Sequence, residues 1–168
     1  MAEESKSNGQ AGAQQQSPSG KTINIQRIYV KDFSFESPQS PEVFTWQDFG
    51  PQFNLNLATR TKQVQDDIWE VILEVTVEAT QNEKAVFLAE LQQAGLFLVQ
   101  GFNQEEIGSV LGGFCPAQLY PYAREVITGM VVNGGFPAPH LQPVNFDQLY
   151  MRQLQEQQQR QQASQEQA

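Results

Sequence analysis

Cysteine and histidine are almost missing from this chain of 168 residues, which has one of each. A lone Cys115 forms no internal disulfide, and with His140 as the one imidazole there is no four-ligand zinc set of the usual kind. Positive charge is scarce too. Ten Lys and Arg stand against 19 Asp and Glu, a formal charge of −9 with a pI near 4.5. That balance argues against nucleic acid or an anionic membrane as the main partner, because phosphates need Lys and Arg to neutralise them. It suits a basic partner. No uncharged apolar run approaches the roughly 20 residues that span a bilayer. The opening Met1-Ala2-Glu3-Glu4-Ser5-Lys6 lacks the basic-then-apolar profile of a signal peptide. The expectation is a cytoplasmic protein with no direct membrane insertion.

Apolar residues are thin at both ends. Residues 1–20 hold small and polar types that cannot repay the entropy of ordering, so disorder is expected there. Residues 155–168 are mostly Gln and read as a frayed or disordered tail. Between them, 21–154 is one domain long enough to build a core.

Thr22–Glu36 is rich in β-branched and aromatic residues, but its alternation slips phase near Arg27. That is a strand with a bulge, or one covered on both faces. Ser37–Gln52 holds Pro38, Pro41 and Pro51, which make it a long crossing loop. Three strands with cleaner parity follow, Phe53–Thr61, Ile68–Gln81 and Ala85–Val99, joined by turns at Gln65-Asp66-Asp67 and Asn82-Glu83-Lys84. In the second, Trp69, Val71, Leu73, Val75, Val77 and Ala79 face one way and Glu70, Glu74, Thr76 and Glu78 the other. Period two with one polar face predicts an antiparallel sheet.

Asn103 is placed to cap a helix, with Glu105 and Glu106 in its first turn. Apolar residues recur at helical spacing to Asn133-Gly134-Gly135, a C-terminal stop, but Gly112-Gly113 and Pro116 interrupt them. This is one long helix broken near its start, or a short helix and a long one. After a proline-stiffened linker, Asn145 opens a last helix with Phe146, Leu149, Tyr150 and Leu154 on one stripe. The fold class is α+β: a four-stranded antiparallel sheet with two C-terminal helices.

No catalytic, metal or cofactor site emerges. Cys115 stands before Pro116 in an apolar helix start and reads as a buried small hydrophobe. His140 lies in a proline loop, and Gly108…Gly112-Gly113 lies in a helical pattern rather than after a strand. Two features stand out instead. Glu70, Glu74 and Glu78 share a face in one strand, and Glu90 shares one with Val86 and Leu88 in the next. They form a solvated face, or a negative docking plate with Leu88 as an apolar anchor. Phe44, Trp46, Phe49 and Phe53 crowd the crossing loop, which has no hydrophobic period of its own. They cap the core, or pack beside Phe146, Leu149 and Tyr150 and leave an apolar groove that takes many sequences.

Ile25-Gln26-Arg27-Ile28-Tyr29-Val30-Lys31-Asp32 and Phe35-Glu36-Ser37-Pro38 closely resemble the start of SecB, a family of bacterial protein-export chaperones. So do Tyr120-Pro121-Tyr122-Ala123-Arg124-Glu125-Val126-Ile127, Phe136-Pro137 and Leu141-Gln142-Pro143-Val144-Asn145-Phe146-Asp147. The resemblance runs from about residue 22 to about 155. It implies a homotetramer, built as a dimer of dimers with long helices between the sheets. Such a particle holds unfolded preproteins and passes them to SecA, the translocation ATPase. The family's docking positions for SecA correspond to Asp32, Glu36, Leu88 and Glu90, and its assembly-sensitive positions to Phe87, Ala89, Leu91 and Gln93. A Cys common among relatives is Ala89 here. The family's crossing-loop Trp corresponds to Phe49, with Trp46 three residues earlier and a one-residue insertion.

The expected function is that of a holdase without nucleotide chemistry. Its grooves are lined by Phe44, Trp46, Phe49, Phe53, Phe146 and Tyr150. The rival is an acidic adaptor or scaffold that uses the charged face and holds no clients.

Overall fold

The computed structural model describes residues 20–166, with side chains to 163; the segment expected to be disordered lies, but for residue 20, outside the described residues. In chain order come β1 (Thr22–Glu36), a 3₁₀ turn (Glu42–Thr45), β2 (Gln52–Gln65), β3 (Ile68–Gln81) and β4 (Lys84–Gln100). Then follow α1 (Gln104–Ser109), a π turn (Val110–Phe114), α2 (Cys115–Asn133) and α3 (Phe146–Glu166). The strands form one antiparallel sheet in the order β1-β4-β3-β2, the expected α+β class. Since β1 and β2 lie on opposite edges, the 37–51 loop must cross the whole sheet, about 14 Å at 4.8 Å per strand.

Parity decides which face is covered. The β3 set from Val71 to Ala79 and the β4 set Phe87, Ala89, Leu91, Phe97 and Val99 are buried with Leu119, Ala123, Ile127 and Val131 of α2. The phase slip in β1 proves to be two bulges, at Gln26 and Lys31, where the register with β4 jumps. Each bulge moves the alternation by one. Ile23 and Ile25, then Ile28 and Val30, then Phe33 and Phe35 therefore all fall opposite the covered β4 set. A third shift between Ala79 and Thr80 takes Val86 out of the outer-face pattern, and it is fully buried instead. Both hairpins close through left-handed backbone, at Asp67 (φ 61°) and at Asn82 and Glu83 (φ 52° and 62°).

Of the two helix readings, one long helix interrupted near its start holds: α1, the π turn and α2 follow one another without a gap, and the backbone stays right-handed helical through Ser109, Val110, Phe114 and Cys115. Asn103 accepts from the Glu106 amide (2.9 Å) while Glu106 accepts from the Asn103 amide (3.0 Å), a reciprocal cap at the start of α1. The π turn sets Gly112 and Gly113 against α3. A Cβ on Gly112 would meet the Tyr150 ring, and one on Gly113 the Asp147 carboxylate. Asn145 caps α3 by accepting from the Gln148 amide (3.1 Å). The helix does not stop where its apolar stripe ends at Leu154. Its backbone continues through the Gln-rich segment to Glu166, in residues whose helix propensity is high.

Because the Tyr150 ring fills the space over Gly112, Gly112→Ala should destabilise the fold by about 1–3 kcal/mol through overpacking. Amide exchange should rise over 146–154 and stay unchanged in β3. Equal protection of α3 in the variant would show that this seat does not hold it.

Candidate functional site

At the C-terminal end of α2 the helix stops in a Schellman turn. The Phe136 amide donates to the Val131 carbonyl (3.1 Å), the Gly135 amide donates to the Val132 carbonyl (3.0 Å), and Gly135 takes φ 91°. This drives Phe136 back under the sheet end, where it is 5% exposed. Four rings gather on it: Phe87 at 5.1 Å between centroids, Phe44 at 5.3 Å, Phe49 at 6.1 Å and Phe35 at 6.4 Å. Phe53 joins through Phe87 at 6.0 Å. The outer members stay open, with Phe53 at 55%, Phe44 at 53% and Phe49 at 37% exposed. Trp46 packs partly buried against the core. An apolar cleft of about 530 Å³ runs on from Phe35 between β1 and α2, past Val30, Phe33, Val126 and Met130.

Of the six groove residues expected from sequence, Phe44, Phe49 and Phe53 meet around Phe136, with Trp46 alongside in the same loop. Phe146 and Tyr150 do not. Phe146 packs on Tyr120 at 5.4 Å, near the start of α2, and Tyr150 covers Gly108 and Gly112. The reason is the linker, which returns along α2: the Tyr120 hydroxyl donates to the Gln142 carbonyl at 2.7 Å. It thereby sets α3 at the other end of a 19-residue helix, about 28 Å long. Phe35, Phe87 and Phe136 complete the cluster and are absent from the expected set. For Phe136 a signal existed, since an apolar residue just after a Gly cap commonly packs back on its helix.

The uncovered sheet face carries acid in a staggered array. Register places Asp32 beside Gln92 and Glu74, Ser34 beside Glu90 and Thr76, and Glu36 beside Leu88 and Glu78. Asp32, Glu36 and Glu90 are exposed and Leu88 half-buried. A hollow of about 230 Å³ opens among Asp32, Ser34, Glu74 and Glu90. Glu74 is paired with Arg60, and Glu90 accepts from Ser34 (3.3 Å). Phe87, Ala89, Leu91 and Gln93 lie on the opposite face, each at most 2% exposed, as floor under the helices. They offer no surface to another chain directly. Gln93 donates to the Tyr29 carbonyl (3.0 Å), and its Oε1 has no partner among the described residues.

Glu70, grouped with the acidic face by parity, is 8% exposed. Over the small Ala94 of the intervening β4, it accepts from the Tyr29 hydroxyl and from Lys31 Nζ (2.8 and 2.9 Å). Hydrogen bonds from Lys31 and then Tyr29 hold its carboxyl below the usual range, against the opposing effect of burial. Burial, then Glu70, push the Tyr29 hydroxyl up to about 12. Glu70 is thus a neutralised internal tie rather than part of a docking surface. Desolvation also pushes the buried Cys115 thiol up to about 12, which keeps it protonated and unreactive at neutral pH. His140 is exposed in its loop. Among the described residues no group of His, Cys, Asp and Glu could hold a metal ion, and no helix is long and apolar enough to cross a membrane.

A family described as Preprotein translocase subunit SecB matches residues 13–157. The chain is 46% identical over 163 residues to the protein-export protein SecB of Alkalilimnicola ehrlichii, covering 97% of this chain and 86% of that one. It is 46% identical over 156 residues to that of Ectopseudomonas mendocina, covering 93% and 94%. Among solved structures, a SecB-like chaperone of Mycobacterium tuberculosis in complex with an antitoxin peptide superposes with a TM-score of 0.62 at 18% identity. That likeness covers 73% of this chain and 90% of the other, and it carries the fold.

A depressed carboxyl stabilises the fold above its ordinary titration range and loses that contribution as pH falls through its folded value, here below 4.5. Glu70→Gln should therefore lower stability at pH 7 by about 1–3 kcal/mol, as expected for a disrupted buried ionic network. The deficit should shrink in urea titrations near pH 3. An equal deficit at both pH values would mean that packing, not the ionised carboxylate, supplies the stability.

Proposed function

This chain belongs to the SecB family, and from that premise we propose that it is an ATP-independent protein-export chaperone. It holds unfolded preproteins on the ring cluster around Phe136, works in the cytoplasm as a dimer of dimers, and delivers its clients to SecA. The observation that carries the client site is that Phe44 and Phe53 stay more than half exposed while packed at a tilt on buried rings. A non-native segment gains a few kcal/mol per apolar side chain placed there, before ordering costs. Burial is non-directional, so many sequences qualify, and native proteins offer none. Several such clusters on one particle gripping one long client raise its affinity through effective concentration.

The assembly has its own support in exposed apolar residues. Ile25, Val30 and Phe33 on the edge strand β1 are 40%, 40% and 62% exposed, and Tyr122 and Val132 on α2 are 49% and 50%. Burying this stripe against another copy gives each chain a continuous second core. Phe87, Ala89, Leu91 and Gln93 then influence assembly indirectly, by setting the floor that fixes the tilt of α2. The acidic face points away from that stripe. There Asp32, Glu36 and Glu90 attract a basic segment of SecA while Leu88 gives it apolar footing.

The chain should suppress aggregation of a denatured test protein at stoichiometric amounts without ATP, which an adaptor of the same charge would not do. Phe49→Ala with Phe53→Ala should weaken client binding by roughly tenfold or more by calorimetry, given about 1.4 kcal/mol per decade. Unchanged affinity would remove these rings from the client site. Glu90→Lys should abolish the complex with SecA while client affinity holds and light scattering still gives four copies per particle. Docking that ignores added salt would overturn the electrostatic reading.

A further inference from the structure

The crossing loop has to hold its rings in place, and its second half lacks the usual means. The first half is pegged by Val43, 2% exposed, and by a 3₁₀ turn in which the Phe44 amide donates to the Pro41 carbonyl (3.1 Å) and the Trp46 amide to the Val43 carbonyl (3.3 Å). Among the described residues, 47–51 enters no backbone–backbone hydrogen bond outside the ladders. Its polar ties converge on one side chain instead. Gln81 Oε1 accepts from the Gly50 amide (3.0 Å) and Gln81 Nε2 donates to the Asp48 carbonyl (2.5 Å).

We propose that Gln81 is a positioning residue for the client site, a carboxamide clasp that fixes the loop so that Phe49 stays on Phe136. This rests on the chaperone reading above. A carboxamide suits the task because it carries a donor and an acceptor side by side, as the N–H and C=O of one strand residue do, and so acts as one rung of a strand that the loop does not form. Gln81 is also placed for it. It ends β3 beside the tight Asn82-Glu83 turn, opposite Lys84, where the strand is anchored by its ladder while the loop is not. The two clasped carbonyl and amide groups flank Phe49, so the backbone that carries the ring cannot swing away without breaking one of them. A loop free to fluctuate would pay the cost of ordering with each client bound, and the clasp removes that cost in advance.

Three measurements on the full chain test this: the Gly50 amide resonance and its exchange, the thermal midpoint, and affinity for reduced, carboxymethylated lactalbumin. In Gln81→Ala, Gly50 exchange should rise about tenfold as the local tie is lost. Affinity should fall about fivefold, the worth of one hydrogen bond's preorganisation, with the midpoint within about 2 °C. Gln81→Glu keeps the acceptor for Gly50 but sets a carboxylate oxygen against the Asp48 carbonyl. Its affinity should fall between those of the other two while Gly50 stays protected. An unmoved Gly50 amide in Gln81→Ala, or a mobile one with unchanged affinity, overturns the clasp. Wild-type protein that does not bind the probe at all removes the chaperone reading itself, and the clasp's role with it.

Discussion

Phe136 is the residue on which the aromatic end of the molecule depends. Rings left in water normally collapse onto one another or onto the core, and a protein that must keep them available needs something to prevent that. Here one buried ring serves as a hub for Phe35, Phe44, Phe49 and Phe87, which come from β1, the crossing loop and β4. Each contact of this kind contributes about 0.5–1.5 kcal/mol beyond area burial, enough together to hold the outer rings by one face while the other stays wet. The hub in turn depends on Gly135, whose left-handed backbone turns the chain back at the end of α2. A Cβ there would also press on the Phe44 ring at 3.0 Å, so the turn and the ring cluster constrain one another.

The same end of the sheet separates two kinds of chemistry by parity alone. Phe87, Ala89 and Leu91 point down to α2, while Leu88 and Glu90 between them point out. The bulge at Lys31 extends that division to the sheet edge, because without it Asp32 and Glu36 would not share a face with Tyr29. The outer face is uneven in charge. Glu70 is cancelled by Lys31, and Glu74, on the same rung as Asp32, is paired with Arg60. Asp32, Glu36 and Glu90 stand exposed. Net charge is a poor guide to such a surface, and the unneutralised carboxylates are what a basic partner would meet.

Much of this was legible in the sequence, for identifiable reasons. The bounds of β1 and β3 follow from runs of β-branched and aromatic residues, and the caps at Asn103 and Asn145 from short polar residues that have few other uses before an apolar periodic stretch. The crossing loop follows from its three prolines. The site was legible only in part. Phe44 and Phe49 stand out because they have no period to belong to, and Phe53 because it opens a strand beside them, whereas Phe136 and Phe87 look like ordinary core, which by burial they are. Phe146 and Tyr150 were drawn to the loop by composition. The direction of the linker, which decides the matter, rests on long-range packing of Tyr120 that no local pattern encodes. Nor does any pattern distinguish Gln81 from other glutamines, because its partners are backbone groups more than 30 residues away.

Two sorts of apolar surface remain exposed, and their shapes separate their uses. Ile25, Val30 and Phe33 form a row along an edge strand, with Val126 and Met130 of α2 across the cleft from Val30 and Phe33. An exposed apolar edge of 15 residues invites pairing with any other strand, a liability that proteins remove by covering it. The opposite edge shows the contrast. On the same face β2 has Leu55 and Leu57 half-buried and then turns polar at Thr59, Thr61 and Gln63, which need no cover. A second copy on the β1 side would satisfy that edge and leave the Phe136 cluster free at its end. The cluster instead presents separate rings, Phe44, Phe49 and Phe53, each open on one side, a form suited to single side chains of an extended segment. Oligomer contact and client contact could therefore draw on the same apolar chemistry without competing, because one needs a continuous strip and the other separate rings.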